Sequence, residues 1–137
     1  MMRAAKTLEQ RIKTRIDRKG DAVFLTREFT DLGGERQVLR ALRKLVDGGK
    51  LIRLGYGVYA RAEISPLTKE PMLAADGFGP AARQALTKLG VRWEPSAAER
   101  AYNEGRSTQI PVKPMVRLRG RFARKLRYKS MELAFEQ

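Results

Sequence analysis

Arg36, Gln37, Arg40 and Arg43 fall within eight residues, interleaved with Val38, Leu39, Leu42, Leu45 and Val46. At about 3.6 residues per turn the two sets separate onto opposite faces of one helix, from about Glu35 to Asp47. A guanidinium is a planar fork of donors that matches the paired acceptors on the major-groove edge of guanine. A Gln amide matches the donor and acceptor of adenine. These four residues are therefore the base-edge candidates of a helix laid in a DNA groove. Phosphate oxygens ask for cations and hydroxyls, and Thr26, Arg27, Lys44, Arg53, Tyr56 and Arg61 are the phosphate candidates nearby in sequence.

The composition supports a polyanionic partner. Lys and Arg number 29 against 15 Asp and Glu, a formal net charge of +14. Such an excess gains free energy by releasing counterions from phosphates. With no His and no Cys, disulfides, the common zinc sites, thiolate nucleophiles and imidazole acid–base catalysis are excluded. Glu99 with Glu104, or the hydroxyls of Ser107 and Thr108, sit in ordinary helix and loop contexts. No enzymatic activity, cofactor or metal is expected. Met1 to Gln10 lacks the apolar stretch of a signal peptide, and no run reaches membrane-span length. The expectation is a soluble cytoplasmic protein without a membrane partner.

Several elements must position the basic helix. Thr7 with Gln10 has capping-box spacing, and Leu8, Ile12 and Ile16 repeat on one face of a first helix that Gly20 would end. Ala22 to Leu25 is a short apolar run. Thr26 reads as the N-cap of a short helix, Arg27 to Leu32, with Phe29 and Leu32 inward. Gly33-Gly34 and Gly48-Gly49 bracket the basic helix. Lys50–Leu54 and Gly57–Arg61 are strand-like and meet at a Gly55-Tyr56-Gly57 tip, where glycines suit a tight hairpin. Short helix, glycine turn, basic helix and hairpin follow the order of a winged helix-turn-helix.

Beyond this, Pro66 and Pro71 bracket a loop from about Glu63 to Met72 that reads as a boundary. A helix from about Ala81 to Leu89 follows, with Pro80 near its first turn, and then a short helix capped by Ser96 with Glu99 three residues on. Trp93 reads as a packing residue. From Lys113 to Lys129 no acid interrupts the cations. Val116 and Leu118 alternate with Arg117 and Arg119, and Leu126 and Tyr128 with Lys125, Arg127 and Lys129. Period-two alternation predicts a small antiparallel sheet with one basic face. Arg117, Arg119, Arg121, Arg124, Lys125, Arg127 and Lys129 make up this second basic surface, and Met131, Leu133 and Phe135 continue the alternation into a third strand.

The stretches Val23-Phe24-Leu25-Thr26, Phe29 to Gly33, Val38 to Leu42 and Leu45 to Arg53, with the closing Gly57-Val58-Tyr59, resemble the N-terminal domain of AbiE-type antitoxins. Asn103 to Pro111 is similar to a segment that such proteins carry after their second helical region. The resemblance spans about Leu8 to Leu133. It implies a transcriptional regulator of a toxin–antitoxin or abortive-infection operon, with DNA binding, autoregulation and a cognate toxin as possible partner.

The expected fold class is α+β: a winged helix-turn-helix over residues 1–62, then a small helical and antiparallel-strand part over 63–137. The expected function is a sequence-specific DNA-binding repressor on double-stranded DNA, as a homodimer where operator sites are two-fold. An RNA-binding, ribosome-associated winged helix and a protein-interaction module that neutralises a toxin are the alternatives.

Overall fold

The Thr7 hydroxyl accepts from the Gln10 amide at 3.1 Å while the Gln10 side chain accepts from the Thr7 amide at 2.9 Å. This reciprocal cap starts α1 (Leu8–Arg18). The computed structural model describes residues 6–74, 77–109, 113–122 and 124–136. Ile12 and Ile16 are buried along α1, with Leu8 packed beside them. Gly20 does not cap the helix. The last turn of any helix leaves carbonyls without partners. Here those of Ile16 and Lys19, with that of Asp21 just beyond, accept from the Arg61 guanidinium. An arginine stands in for the expected glycine cap because one fork serves several carbonyls.

β1 (Val23–Leu25) is buried throughout. A short 3-10 helix (Thr26–Phe29) follows, in place of the helix expected from Arg27 to Leu32. Thr26 lies inside its first turn and is not its cap. The Glu28 carboxylate reaches back instead and accepts from the Leu25 amide at 2.6 Å. Phe29 is buried with its ring centroid 6.0 Å from that of Phe24, and Leu32 packs at the margin of the same core. α2 (Glu35–Asp47) buries Val38, Ala41, Leu42 and Leu45. The Gly33-Gly34 break provides room more than unusual dihedrals: a Cβ on Gly33 would lie 3.2 Å from a Leu8 methyl.

β2 (Leu51–Gly55) and β3 (Val58–Ile64) form an antiparallel hairpin whose tip is Tyr56 and Gly57. Gly57 has φ 68°, which a side chain would strain. β1 pairs antiparallel on the other side of β3, Val23 opposite Ala60 and Leu25 opposite Val58, giving the order β1-β3-β2. β4 (Pro71–Leu73) pairs with the far end of β3, Ala62 opposite Leu73. The boundary expected at 62/63 therefore falls inside β3, and the presumed linker is a hairpin. Its turn is closed by the Ser65 hydroxyl, which accepts from the Leu67 and Thr68 amides. The chain divides into two compact units, Met1–Ala75 and Asp76–Gln137.

In the second unit α3 (Phe78–Lys88) starts earlier than expected, and Pro80 sits in its first turn, where a missing N–H breaks no bond. Phe78, Ala81, Ala82, Ala85 and Leu86 are buried on its inner side. β5 (Trp93–Pro95) precedes α4 (Ala97–Asn103), whose cap Ser96 accepts from the Glu99 amide at 3.2 Å. Trp93 is half-buried; its indole N–H donates to the Thr87 hydroxyl at 2.9 Å, and Arg83 lies over its ring. Packing, as the sequence suggested, is its role.

β6 (Met115–Leu118), β7 (Arg127–Tyr128), β8 (Met131–Glu132) and β9 (Ala134–Glu136) complete the described strands. Val116, Leu126 and Leu133 are buried, but Leu118, Tyr128 and Phe135 are half-buried and Met131 is exposed, so the alternation reads the inward positions only in part. The single antiparallel sheet expected there is not formed. β5 and β6 pair antiparallel, β9 joins β6 in parallel, and β7–β8 is a separate ribbon. The chain reverses at β7–β8 and continues through Leu133 into β9, which so runs alongside β6 in the same direction. The whole is a mixed α+β protein. No helix among the described residues is long and apolar enough to cross a membrane.

Candidate nucleic-acid interface

α2 buries one stripe and leaves Arg36, Gln37, Arg40, Arg43 and Lys44 exposed together. Among the described residues these four cations make no ion pair. Three carboxylates elsewhere in the first unit are committed to other cations. Asp17 takes Lys13 at 2.5 Å, Glu28 takes Lys19 at 3.2 Å, and Asp31 takes both nitrogens of Arg15 at 2.6 and 2.8 Å. α2 thus carries four unpaired cations on one face, with acids, Glu35 and Asp47, only at its two ends; Arg11 and Arg18 on α1 are exposed as well. Gln37, Arg40 and Lys44 also line a groove of about 340 Å³ whose opposite wall is Thr7, Leu8 and Glu9 at the start of α1.

The hairpin tip presents Tyr56, 70% exposed, beside Arg53, whose Nε donates to the Gly55 carbonyl at 3.3 Å. That bond holds the Arg53 stem along its own strand with the head in water. Arg27 is exposed on the 3-10 helix.

Two phosphate candidates are corrected. Arg61 is half-buried: besides its bonds to the end of α1, its guanidinium lies 5.7 Å over the Phe24 ring. Its donors are turned inward because β3 runs beside the unpaired carbonyls of α1, and it is a structural clamp. The Thr26 hydroxyl is buried and has no hydrogen-bond partner among the described residues. The Thr26 amide donates to the Gly57 carbonyl at 3.1 Å, which draws the residue under the hairpin tip and away from solvent.

The second basic surface is less uniform than its sequence. On the β5-β6-β9 sheet Glu94, Arg117 and Glu136 stand side by side across three strands. Glu94 gathers Arg119 at 3.2 Å, Arg100 at 3.3 Å and Arg117 at 3.9 Å. Partial burial pushes the Glu94 carboxyl up, but the charges and hydrogen bonds of Arg119 and Arg100 outweigh it and leave it below its ordinary value. Asp31 is likewise held below its ordinary value, first by the hydrogen bond from Arg15. Arg121, Arg124, Lys125, Arg127 and Lys129 are exposed, with Arg124 over the Phe122 ring and Lys129 over that of Tyr128. The seven cations thus form two groups, one interleaved with carboxylates and one open.

Sequence reasoning missed the roles of Glu94, Glu136 and Arg61. Nothing in their spacing signals them, since each partner is supplied by a distant segment. Of the segment Asn103 to Pro111, the residues Ile110 and Pro111 lie outside the described residues. Among the described residues no cluster of carboxylates could hold a metal ion. Comparison with protein-family models, with curated proteins and with solved structures finds no match to the chain.

Proposed function

We propose that the first unit is a winged helix-turn-helix and that the chain is a sequence-specific DNA-binding transcriptional regulator. The element order supports this: α1, β1, a short 3-10 helix, α2, then the β2–β3 hairpin, with β1 returning to pair with β3. In this reading α2 is the recognition helix and the β2–β3 hairpin is the wing. The observation that carries the proposal is the exposed set Arg36, Arg40, Arg43 and Lys44, unpaired among the described residues and gathered on one face of α2, opposite its buried stripe. Long basic side chains held apart on a rigid helix at net positive charge are preorganised for a phosphate-flanked groove. Arg36, Gln37, Arg40 and Arg43 read base edges, and Lys44, Arg53 and Tyr56 hold the backbone.

The resemblance to AbiE-type antitoxins supports a narrower reading, a repressor that controls its own toxin–antitoxin operon. Binding of the full chain to duplex DNA from its own promoter, across a salt series and against scrambled duplex, tests the proposal. A steep fall of affinity with salt and a preference for the promoter duplex are expected. Equal affinity for both duplexes would reduce it to non-specific binding.

A further inference from the structure

A groove of about 760 Å³ opens on the second unit, with Ser130 to Phe135 along one wall. Its floor is apolar. Phe122 meets Phe135 edge-on, centroids 5.9 Å apart at 79°, and Met131 beside them is 40% exposed. Lys113, Arg124 and Lys125 also line it, each exposed and none in an ion pair among the described residues. The Arg124 guanidinium is held 5.8 Å over the Phe122 ring, at the junction of the aromatic floor and the cationic rim. Glu132 is the one carboxylate among the described lining residues, and it stands opposite Arg127 in the β7–β8 register.

The volume lies within the range of about 300–1,000 Å³ typical of small-ligand sites. A neutral apolar ligand would cover the floor and leave three cations without partners. A nucleic-acid duplex, its bases stacked inside, would engage the cations through its phosphates and leave the paired phenyl rings in water. Only a molecule with both parts satisfies the whole groove: an apolar body against the phenyl rings and an anionic group at the rim.

We infer that this groove binds an amphipathic organic anion, an aryl or short alkyl body bearing a carboxylate, sulfonate or phosphate. The site lies wholly within the second unit and does not depend on the DNA-binding reading.

The test titrates the full-length protein with anilinonaphthalene sulfonate, an aryl anion that fluoresces when its rings leave water, and with phenylnaphthylamine, similar rings without the charge. The sulfonate is expected to saturate at one site per chain, with the neutral dye about tenfold weaker, the scale set by losing a charge-assisted hydrogen bond. The double variant R124Q/K125Q, which alters only exposed side chains, is expected to weaken the sulfonate by about tenfold or more while K50Q in the first unit leaves it unchanged. An unchanged circular-dichroism melt of the double variant assigns the loss to the site. Equal binding of both dyes, no effect of R124Q/K125Q, or unsaturable binding would each overturn the inference. Displacement of the sulfonate by duplex DNA would also overturn it, assigning these cations to a nucleic-acid surface.

Discussion

The Arg61 guanidinium donates to the Ile16 carbonyl at 2.7 Å, joining the middle strand of the first sheet to the last turn of α1. The same head group serves Lys19 and Asp21 and covers the face of Phe24. Arg61→Ala is expected to lower unfolding free energy by about 1–3 kcal/mol, because hydrogen bonds to a charged donor are lost and the partly buried carbonyls of Ile16 and Asp21 are left unmatched. Urea denaturation measures it. DNA affinity of the folded variant should stay within about twofold of the parent, a change of a few tenths of a kcal/mol. A stable variant with weak DNA binding would return Arg61 to the interface.

Thr26 offers the opposite sign. Its hydroxyl is buried without a partner among the described residues, so Thr26→Val exchanges a desolvated polar atom for a methyl of similar size. Stability should be unchanged or rise by about 1 kcal/mol. Thermal denaturation and DNA titration of the variant give the answer together. Weaker DNA binding at unchanged stability would show that the hydroxyl meets a phosphate after all.

Arg40 and Arg53 should separate specificity from grip. Arg40→Ala on the exposed face of α2 is expected to cost about 1–3 kcal/mol on the preferred duplex and to relax the choice between duplexes. Arg53→Ala should weaken every duplex alike and lower the slope of log affinity against log salt by about one. Competition titrations at several salt concentrations distinguish the two. Identical profiles for both variants would remove α2 from the groove.

Acid should loosen each unit at a named carboxylate. Asp31 and Glu94 titrate below their ordinary values of 3.8 and 4.5. A carboxyl with a lowered folded pKa contributes stability that is complete above its unfolded value. That stability is lost as pH falls from there through the folded value. Asp31→Asn and Glu94→Gln are therefore expected to lower stability at neutral pH and to flatten its fall below about pH 4.5. Denaturation midpoints across pH 3 to 7 follow this; parallel curves for variant and parent would show that neither pairing matters.

What the sequence made legible follows the range of the interaction. The Thr7–Gln10 cap and the Ser96 cap are local and were readable residue by residue. The buried stripe of α2 and the inward positions Val116, Leu126 and Leu133 follow from periodicity alone. The errors begin where a distant segment supplies the partner. Arg61 looks like any exposed cation on a strand until α1 is brought beside it. The 63–72 stretch looks like a linker because pairing of β4 with β3 leaves no mark in two prolines. In the basic run the count of cations was readable, but Glu94 lies well before it and neutralises part of it only through the sheet.

β3 is the strand on which β1, β2 and β4 all pair, and Val23 meets Ala60 only after the 3-10 helix, α2 and the hairpin have been traversed. Closing that loop costs entropy before any ladder bond returns it. Local structure in α1, α2 and the β2–β3 hairpin is therefore expected to precede β1 in time, with the sheet completing last. Once complete, the Val58–Ala60 stretch of β3 cannot open without releasing β1 and β2 together, while its far end, Ala62 to Ile64, holds β4. Amide exchange at Val58 to Ala60 should accordingly report global unfolding, and a chain cut between β3 and β4 should exchange faster first at Ala62 to Ile64.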